Sequence, residues 1–303
     1  MQKRYVARRV DGILLLDKSP GLSSNAALQQ VKRLFRAERA GHTGTLDPLA
    51  SGMLPICLGE ATKFGGALLE ADKGYRAKVK LGERTETGDA EGTVIERKPV
   101  AVSRVQLDLL LQRFRGEIEQ VPPMYSALKH QGRPLYELAR KGQVIERKPR
   151  RVLIHKLDVI RFEEAELTID VECSKGTYIR TLAEDIGIGL ECGAHLAGLR
   201  RSSIGQFCLN QAYSLDRLEN LEEQARDRLL LPIDSLVDSW RHVVLSAEMS
   251  DQFIHGRPVN LMETGAQTPP SKVAVYAGPR TFLGIGELDG FGKLLPLRLL
   301  RTQ

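Results

Sequence analysis

The stretch GHTGTLDPLASG, residues 41–52, constrains the fold more than any other part of the chain. It holds three glycines, one proline and a single carboxylate, Asp47. Glycine allows backbone conformations and close approaches that side chains exclude, and Pro48 biases Asp47 towards an extended or turn conformation. We therefore predict that Asp47 lies on a rigid loop, the kind of segment that often carries binding and catalytic groups.

Asp followed by Pro is also typical of a helix start, with Asp47 as the N-cap and Pro48 at the first helical position. The residues that follow disfavour this alternative, because Gly52 and Pro55 make a poor helix interior. Residues 53–58, MLPICL, instead indicate a short buried strand. Composition alone thus predicts a glycine-rich loop with a lone acid.

Residues 41–55, GHTGTLDPLASGMLP, closely resemble the catalytic motif of the TruB family. Members of this family are bacterial synthases that make pseudouridine 55 in the T loop of tRNA. A match over fifteen residues is far more specific than a short glycine pattern. The resemblance implies that Asp47 is the essential catalytic residue and that His42 inserts into the RNA stack where the target base was.

Length and composition are compatible with such an enzyme but do not identify it. The 303 residues suffice for one large and one small domain, and the net charge of +6 favours a polyanionic partner without establishing one. The first ten residues form a basic arm that lacks the apolar segment of a signal peptide. The four cysteines and six histidines show no metal-ligand spacing, so we expect no metal and a reducing, cytoplasmic location.

Two further segments resemble the same family. Residues 12–24, GILLLDKSPGLSS, match its first motif, which implies that Lys18 helps to shape the active-site floor. A lysine at a turn is more often a surface residue. Residues 75–81 alternate between apolar and basic side chains, as in a strand. The Lys-x-Tyr pattern at the start of this strand implies that Tyr75 stacks on the target base, although a strand tyrosine is more commonly part of the core.

Residues 174–187, SKGTYIRTLAEDIG, predict a turn followed by a helix with one apolar face, and Thr177 suits its N-cap. The run resembles the family motif KGTYIRxLAxDIG, which implies that Arg180 pairs with Asp47 and that Tyr178 lies beside the uracil. An arginine fork holds a carboxylate in one geometry and favours its ionised form. Without the resemblance, a packed tyrosine and a surface arginine are the commoner interpretation.

Residues 124–152 resemble the thumb insertion of the family, which is implied to close over the T loop. Its second part, residues 140–151, has six cations against a single acid. Arginine-rich surface suits phosphate contacts, whereas a solvated charged face is the simpler alternative. The candidates here for contacts with the RNA backbone are Arg140, Lys141, Arg150 and Arg151.

The run GAHLAGLRRS matches the last catalytic-domain motif of the family. This match implies that Leu199 packs on the uracil ring, and Arg200 and Arg201 are further candidates for phosphate contacts. Residues 85–89, TETGD, also resemble a family segment. We interpret Asp89 as part of a structured turn near the site that contacts RNA or positions other residues.

The composition changes after Trp240, where short alternating strands and turns are typical of a small β-barrel. In position this region resembles the PUA-like RNA-binding domain that ends bacterial members of the family. We place the boundary near residue 245. This predicts a catalytic domain of residues 1–245 and a PUA-like domain of residues 246–303.

The resemblance covers nearly the whole chain. It implies an α+β fold with a mixed, mainly antiparallel central sheet flanked by helices, the pseudouridine synthase fold. It implies a monomeric enzyme without a cofactor that flips uridine 55 out of the tRNA T loop and isomerises it through Asp47. Attack on the ribose, attack on the base and removal of a ribose proton all stay open as the role of Asp47. The alternatives are an RNA-binding or RNA-folding protein and a guide-dependent synthase of the same superfamily.

Overall fold

The computed structural model describes residues 6–261 and 269–301. Residues 1–5 of the predicted basic arm, and residues 262–268 and 302–303 of the predicted PUA-like domain, therefore lie outside the described residues. In chain order the strands are β1 (Gly12–Lys18), β2 (Ala40–His42), β3 (Ser51–Leu58), β4 (Lys73–Leu81), β5 (Glu83–Thr85), β6 (Val94–Arg97), β7 (Gly116–Gln120), β8 (Lys129–His130), β9 (Arg133–Pro134), β10 (Arg150–Glu163), β11 (Glu166–Cys173), β12 (Ala194–Ile204), β13 (Phe207–Cys208), β14 (Tyr213–Ser214), β15 (Arg241–Leu245), β16 (Val259–Asn260), β17 (Ser271–Ala277), β18 (Thr281–Leu288) and β19 (Lys293–Leu299).

Helices are short and lie between the strands. In chain order they are α1 (Ser24–Leu34), α2 (Gly66–Glu70), α3 (Arg104–Gln112), α4 (Leu135–Ala139), α5 (Ile179–Gly189), α6 (Leu215–Glu219), α7 (Glu223–Asp227) and α8 (Ala247–Ile254). Within residues 6–261 and 269–301, no helix has the length and apolar character needed to cross a membrane.

Ten strands form the central sheet, in the order β14-β1-β3-β12-β4-β11-β10-β7, with β2 paired to β3 and β13 to β12. Only β1–β14 and β3–β12 are parallel among its described pairs. The predicted α+β class with a mixed, mainly antiparallel sheet is therefore confirmed. The parallel contact aligns Arg200 with Ser51 and Arg201 with Gly52, which brings β12 next to the end of the Asp47 loop.

Both faces of β1 are buried. Successive side chains of a strand point to opposite sides, so alternate residues of β1 enter two different cores. Leu14 and Leu16 belong to the main core, which also contains Leu46 of the Asp47 loop. Ile13 and Leu15 belong to a second core that includes Tyr276 of the C-terminal sheet. The C-terminal sheet therefore packs directly on the central sheet, on the face opposite the Asp47 loop.

The C-terminal sheet has five described strands in the order β15-β17-β18-β19-β16. Its curled, mainly antiparallel arrangement fits the predicted PUA-like β-domain. However, β15 (Arg241–Leu245) pairs along its whole length with β17, from Arg241 opposite Val273 to Leu245 opposite Ala277. A boundary placed before Arg241 keeps this strand with its hydrogen-bonded partner, whereas the predicted boundary near residue 245 separates the two.

Candidate active site

The loop between β2 and β3 carries Asp47 and is held at several points. The Ser24 hydroxyl donates to the Leu46 carbonyl and accepts from the Leu46 amide, both at 2.8 Å. Gly52 has a φ of 99°, and a Cβ atom there would stand 2.3 Å from the Arg201 carbonyl oxygen. Asp47 thus lies on a fixed loop, and no helix starts at this position.

An open cavity of about 670 Å³ lies in front of Asp47. The Asp47 loop, the start of α1, the turn that contains Asp89 and the thumb form its wall. Among the predicted site residues, His42, Arg140 and Arg180 line this cavity together with Asp47. A cavity of this size accommodates a ligand as large as a nucleoside.

Arg180 is buried, with 6% of its side chain exposed, and contacts four groups. Its guanidinium lies 3.1 Å from Asp47 Oδ2 and 3.6 Å from Asp89 Oδ2. It also donates to the backbone carbonyls of Thr87 at 3.3 Å and Tyr125 at 2.5 Å. The ion pair implied by the resemblance is present, and the same arginine joins Asp47 to the Asp89 turn and to the thumb.

Several charges act on the Asp47 carboxyl, whose side chain remains 41% exposed. Loss of hydration raises its pKa, and the negative charge of Asp89 raises it further. Arg180 and Lys18 oppose this rise, because their positive charges favour the ionised form. The net pKa is raised, so the ionised carboxylate is more basic than one in water and is still accessible from the cavity.

Lys18 ends β1 with its side chain fully buried, so the surface interpretation is wrong for this lysine. Its ammonium donates to the carbonyls of Ser19 at 2.9 Å and Leu22 at 2.7 Å. Burial lowers the pKa of Lys18 to about 8, against the opposing charges of Asp47 and Glu91. The residue therefore supplies a poorly hydrated positive charge near the Asp47 loop.

Tyr75 and Leu199 lie on the neighbouring strands β4 and β12, where Leu199 is opposite Ala77. Tyr75 is 9% exposed within the main core, and Leu199 packs against that core. Burial raises the pKa of Tyr75, and the charge of Arg201 opposes the rise. In the described part of the chain neither side chain lines the cavity, so the structure places both in the core that adjoins the Asp47 loop.

Tyr178 is half-buried at the start of α5, and burial raises the pKa of its hydroxyl. It is itself the N-cap residue of α5, and no side-chain hydrogen bond caps this helix. The prediction that Thr177 caps α5 is therefore wrong. The Thr177 hydroxyl instead donates to the Ser174 carbonyl at 2.9 Å, because the chain is still in the preceding turn.

His42 ends β2 and is half-buried at the cavity wall. Its Nδ1 atom is buried without a hydrogen-bond partner. Burial lowers the pKa of this imidazole, and the positive charge of Arg201 lowers it further. The neutral ring is therefore favoured, which suits contact with stacked bases rather than with phosphate.

Comparison with known proteins gives a consistent result along the chain. Residues 32–179 match the TruB family pseudouridylate synthase N-terminal domain, 180–238 the tRNA pseudouridylate synthase B C-terminal domain, and 242–300 the C-terminal region of pseudouridine synthase II TruB. The tRNA pseudouridine synthase B of Chromobacterium violaceum is 52% identical over 296 residues, which cover 98% of this chain and 96% of the relative. The chain belongs to the TruB family. The protein of the same name from Stutzerimonas stutzeri is 51% identical over 306 residues, covering 100% of this chain and 99% of its own.

The TruB fold is also found in a solved structure. A chain in the crystal structure of a Cbf5–Nop10–Gar1 complex has a TM-score of 0.72 and 25% identity. The match covers 96% of this chain and 84% of that chain. This likeness supports the same catalytic fold with an attached C-terminal domain.

The basic residues of this TruB chain differ in their availability. Arg140, Lys141 and Arg150 are exposed, and Arg140 lies over the ring of Tyr136, 5.5 Å from its centroid. Two other candidates are exposed but already engaged in ion pairs. Arg151 lies 3.2 Å from Glu117, and Arg200 lies 2.7 Å from Asp17.

Arg201 does not fit the phosphate contact that we predicted for it. The residue is 1% exposed. Its Nε atom donates to the Met53 carbonyl at 2.7 Å, and its guanidinium donates to the Gly44 carbonyl at 3.3 Å. Arg201 thus joins β12 to both ends of the Asp47 loop from inside the protein.

Gln120, at the end of β7, is a site residue that we did not predict. This side chain is 2% exposed and contacts the backbone of Tyr178. The alternation of Glu117, Ile118 and Glu119 places Gln120 on the same face as Ile118, which is a signal in the sequence for a buried amide.

Proposed function

We propose that this TruB-family chain isomerises uridine 55 in the T loop of tRNA to pseudouridine. The observation that carries the proposal is the Asp47–Arg180 ion pair beside a cavity of nucleoside size. The choice of tRNA follows from two relatives of 52% and 51% identity, both named tRNA pseudouridine synthase B. A tRNA substrate is consistent with a cytoplasmic location.

The reaction exchanges one bond to the ribose for another. The bond from N1 of uracil to C1′ breaks, the base rotates, and a bond from C5 to C1′ forms. The hydrogen on C5 leaves as a proton and N1 gains a proton, so the change is redox-neutral and no cofactor is required. Attack on the ribose, attack on the base and removal of a ribose proton all need Asp47 ionised at the outset. Arg180 supports that state by its charge.

The target base must leave the stacked loop to reach Asp47. We propose that His42, at the cavity wall, fills the space that the base leaves in the RNA stack. Tyr75, Tyr178 and Leu199 contact the flipped uracil in this proposal. For Tyr75 and Leu199 this requires that the core surface beside the loop becomes accessible when RNA binds.

RNA contacts outside the cavity involve the thumb and the C-terminal sheet. Arg140, Lys141 and Arg150 are the exposed candidates for phosphate contacts, and Arg151 and Arg200 require exchange of an existing carboxylate partner. We propose that the catalytic domain ends before Arg241 and that the PUA-like module begins with β15. The enzyme is proposed to act as a monomer.

The test is tritium release from an unmodified tRNA transcript labelled at C5 of uridine. Isomerisation replaces the C5 hydrogen with the bond to ribose, so each turnover releases one tritium to water. We expect release from the wild-type transcript and none when the T-loop uridine is replaced by cytidine. An isolated T stem-loop transcript, added without any guide RNA, tests whether the enzyme acts alone.

Each alternative predicts a different result in this assay. An RNA-binding or RNA-folding protein would bind the transcript without release from any position. A guide-dependent synthase would release tritium only after a complementary guide RNA is added. Release that persists with cytidine in the T loop would contradict the proposed target.

A further inference from the structure

Gln120 makes two hydrogen bonds to one distant residue. Its Oε1 atom accepts from the Tyr178 amide at 3.0 Å, and its Nε2 atom donates to the Tyr178 carbonyl at 3.3 Å. The side-chain amide therefore pairs with the Tyr178 backbone as one strand pairs with another. The two contacts also fix the orientation of the amide, since a flipped group would place donor against donor and acceptor against acceptor.

Tyr178 depends on such a contact because α5 is not capped locally. Tyr178 is the N-cap residue, and its side chain makes no capping hydrogen bond to the helix. The Thr177 hydroxyl is bound to the preceding turn. The Tyr178 carbonyl already accepts the first helical bond, from Leu182 at 3.0 Å. Gln120 thus holds the residue at which the chain enters α5.

The first turn of α5 carries Arg180, two residues beyond this contact. Arg180 in turn donates to the carbonyl of Tyr125, five residues after Gln120. Pro122 and Pro123 restrict the backbone between these two points. Residues 120–125 are therefore joined to the start of α5 at two points, the backbone of Tyr178 and the side chain of Arg180.

We propose that Gln120 is a positioning residue for the reaction, an inference that rests on the proposed function. Its amide sets the direction in which Tyr178 and Arg180 leave the helix start and face Asp47. Gln120 does not touch the substrate. Loss of its two hydrogen bonds displaces Arg180 relative to Asp47, and small misplacements of catalytic groups cost large factors in rate.

The test compares two variants with a matched control. Gln120→Met removes both hydrogen bonds at similar volume. Gln120→Glu keeps the acceptor for the Tyr178 amide but, once ionised, loses the donor. Gln106→Met is the control, because Gln106 also accepts from a backbone amide at a helix start, that of Ser103 at 2.8 Å. Its helix, α3, carries none of the residues assigned to the site.

Single-turnover tritium release, tRNA affinity and the pH dependence of the rate are measured below the melting temperature of each variant. We expect Gln120→Met to slow the saturated rate about tenfold or more with tRNA affinity retained. The acid limb of the pH–rate profile, where the rate falls as Asp47 becomes protonated, moves to higher pH in this variant. The reason is that a displaced Arg180 lowers the Asp47 pKa less. Gln120→Glu shows a smaller effect in the same direction, and Gln106→Met keeps the wild-type rate and profile.

A wild-type rate in folded Gln120→Glu and Gln120→Met would overturn the proposal. So would an equal loss in Gln106→Met, which would indicate a general effect of stability. If Gln120→Met fails to fold, the saturated rate of Gln120→Glu, measured at a pH where the new carboxyl group is ionised, decides the question. Release by the wild type in the same assay separates a failure of this inference from a failure of the proposed function.

Discussion

Two arginine–carboxylate pairs of this protein differ in their geometry and in the pKa of the carboxyl group. On the surface, Arg76 of β4 donates to both oxygens of Asp170 on β11, each at 2.7 Å. These hydrogen bonds lower the pKa of Asp170. At the active site, Arg180 lies 3.1 Å from one oxygen of Asp47, and loss of hydration raises the pKa of that carboxyl.

The difference lies in what holds the arginine. Arg76 and Asp170 form a bidentate pair, in which each charged group is largely satisfied by the other. Arg180 is held by Asp89 and by the carbonyls of Thr87 and Tyr125 as well as by Asp47. Its position therefore does not depend on Asp47 alone, and Asp47 keeps bonding capacity for a substrate. A preorganised cation beside an incompletely bonded carboxylate is an arrangement suited to catalysis.

Substitution of the carboxylate in each pair should give the largest difference in turnover between the two pairs. We expect Asp47→Asn to lower tritium release at least about a thousandfold, because an amide is neither a nucleophile nor a base. Its tRNA affinity should be largely kept, since the shape of the cavity is unchanged. Asp170→Asn should retain wild-type turnover. Substantial release by Asp47→Asn would remove Asp47 from the mechanism, and filter binding with labelled tRNA checks the affinity.

Substitution of the arginine in each pair should give the next largest difference in turnover. Arg180→Ala is expected to cut single-turnover release about a hundredfold and to change tRNA affinity far less. It also leaves buried Asp89 without this partner, so we add Arg180→Lys, which keeps the charge, as the variant to test if the alanine form unfolds. Arg76→Ala, at a pair that is 55% exposed on the arginine side, should lower the free energy of unfolding by less than about 1 kcal/mol.

Equal losses of rate and affinity in the Arg180 variants would indicate a simple phosphate contact. Thermal unfolding of all three arginine variants is the control, because release must be compared below each melting temperature. A large loss of release in Arg76→Ala would show that the surface pair also supports the site, contrary to the distinction drawn from the two geometries.

How much could be predicted from sequence differs between these regions. The Asp47 loop, the alternation of β4 and the helix after residue 178 have local signals, namely glycines with a proline, a two-residue period and an apolar helical face. Those elements were predicted correctly. Resemblance to one family supplied the Asp47–Arg180 contact, which no local pattern encodes, since the two residues are 133 positions apart in the chain.

The errors come from long-range packing. Arg200 and Arg201 look alike in sequence, but the alternation of β12 turns Arg200 outward and Arg201 into the interior. Thr177 is a good N-cap by residue type, yet Gln120 from another strand occupies the helix start. Pairing of β15 with β17 depends on residues about thirty positions apart, which composition alone does not reveal, so composition gave only an approximate boundary near residue 245.

Substitution of Asp89 should have the smallest effect on the rate, because Asp89 contacts Arg180 and does not itself react. Catalysis needs ionised Asp47, so the rate falls as the pH drops through the Asp47 pKa. The negative charge of Asp89 raises that pKa, and Asp89→Asn should therefore lower it and move the acid limb to lower pH by less than about one unit. Single-turnover rates measured from about pH 4 to about pH 8, which includes the range where carboxyl groups titrate, give the shift. Asp170→Asn is the control, and it should leave the acid limb in place. A shift of the Asp89→Asn limb to higher pH would show that Asp89 acts mainly by holding Arg180 in place, because a displaced arginine would no longer favour the ionised form of Asp47.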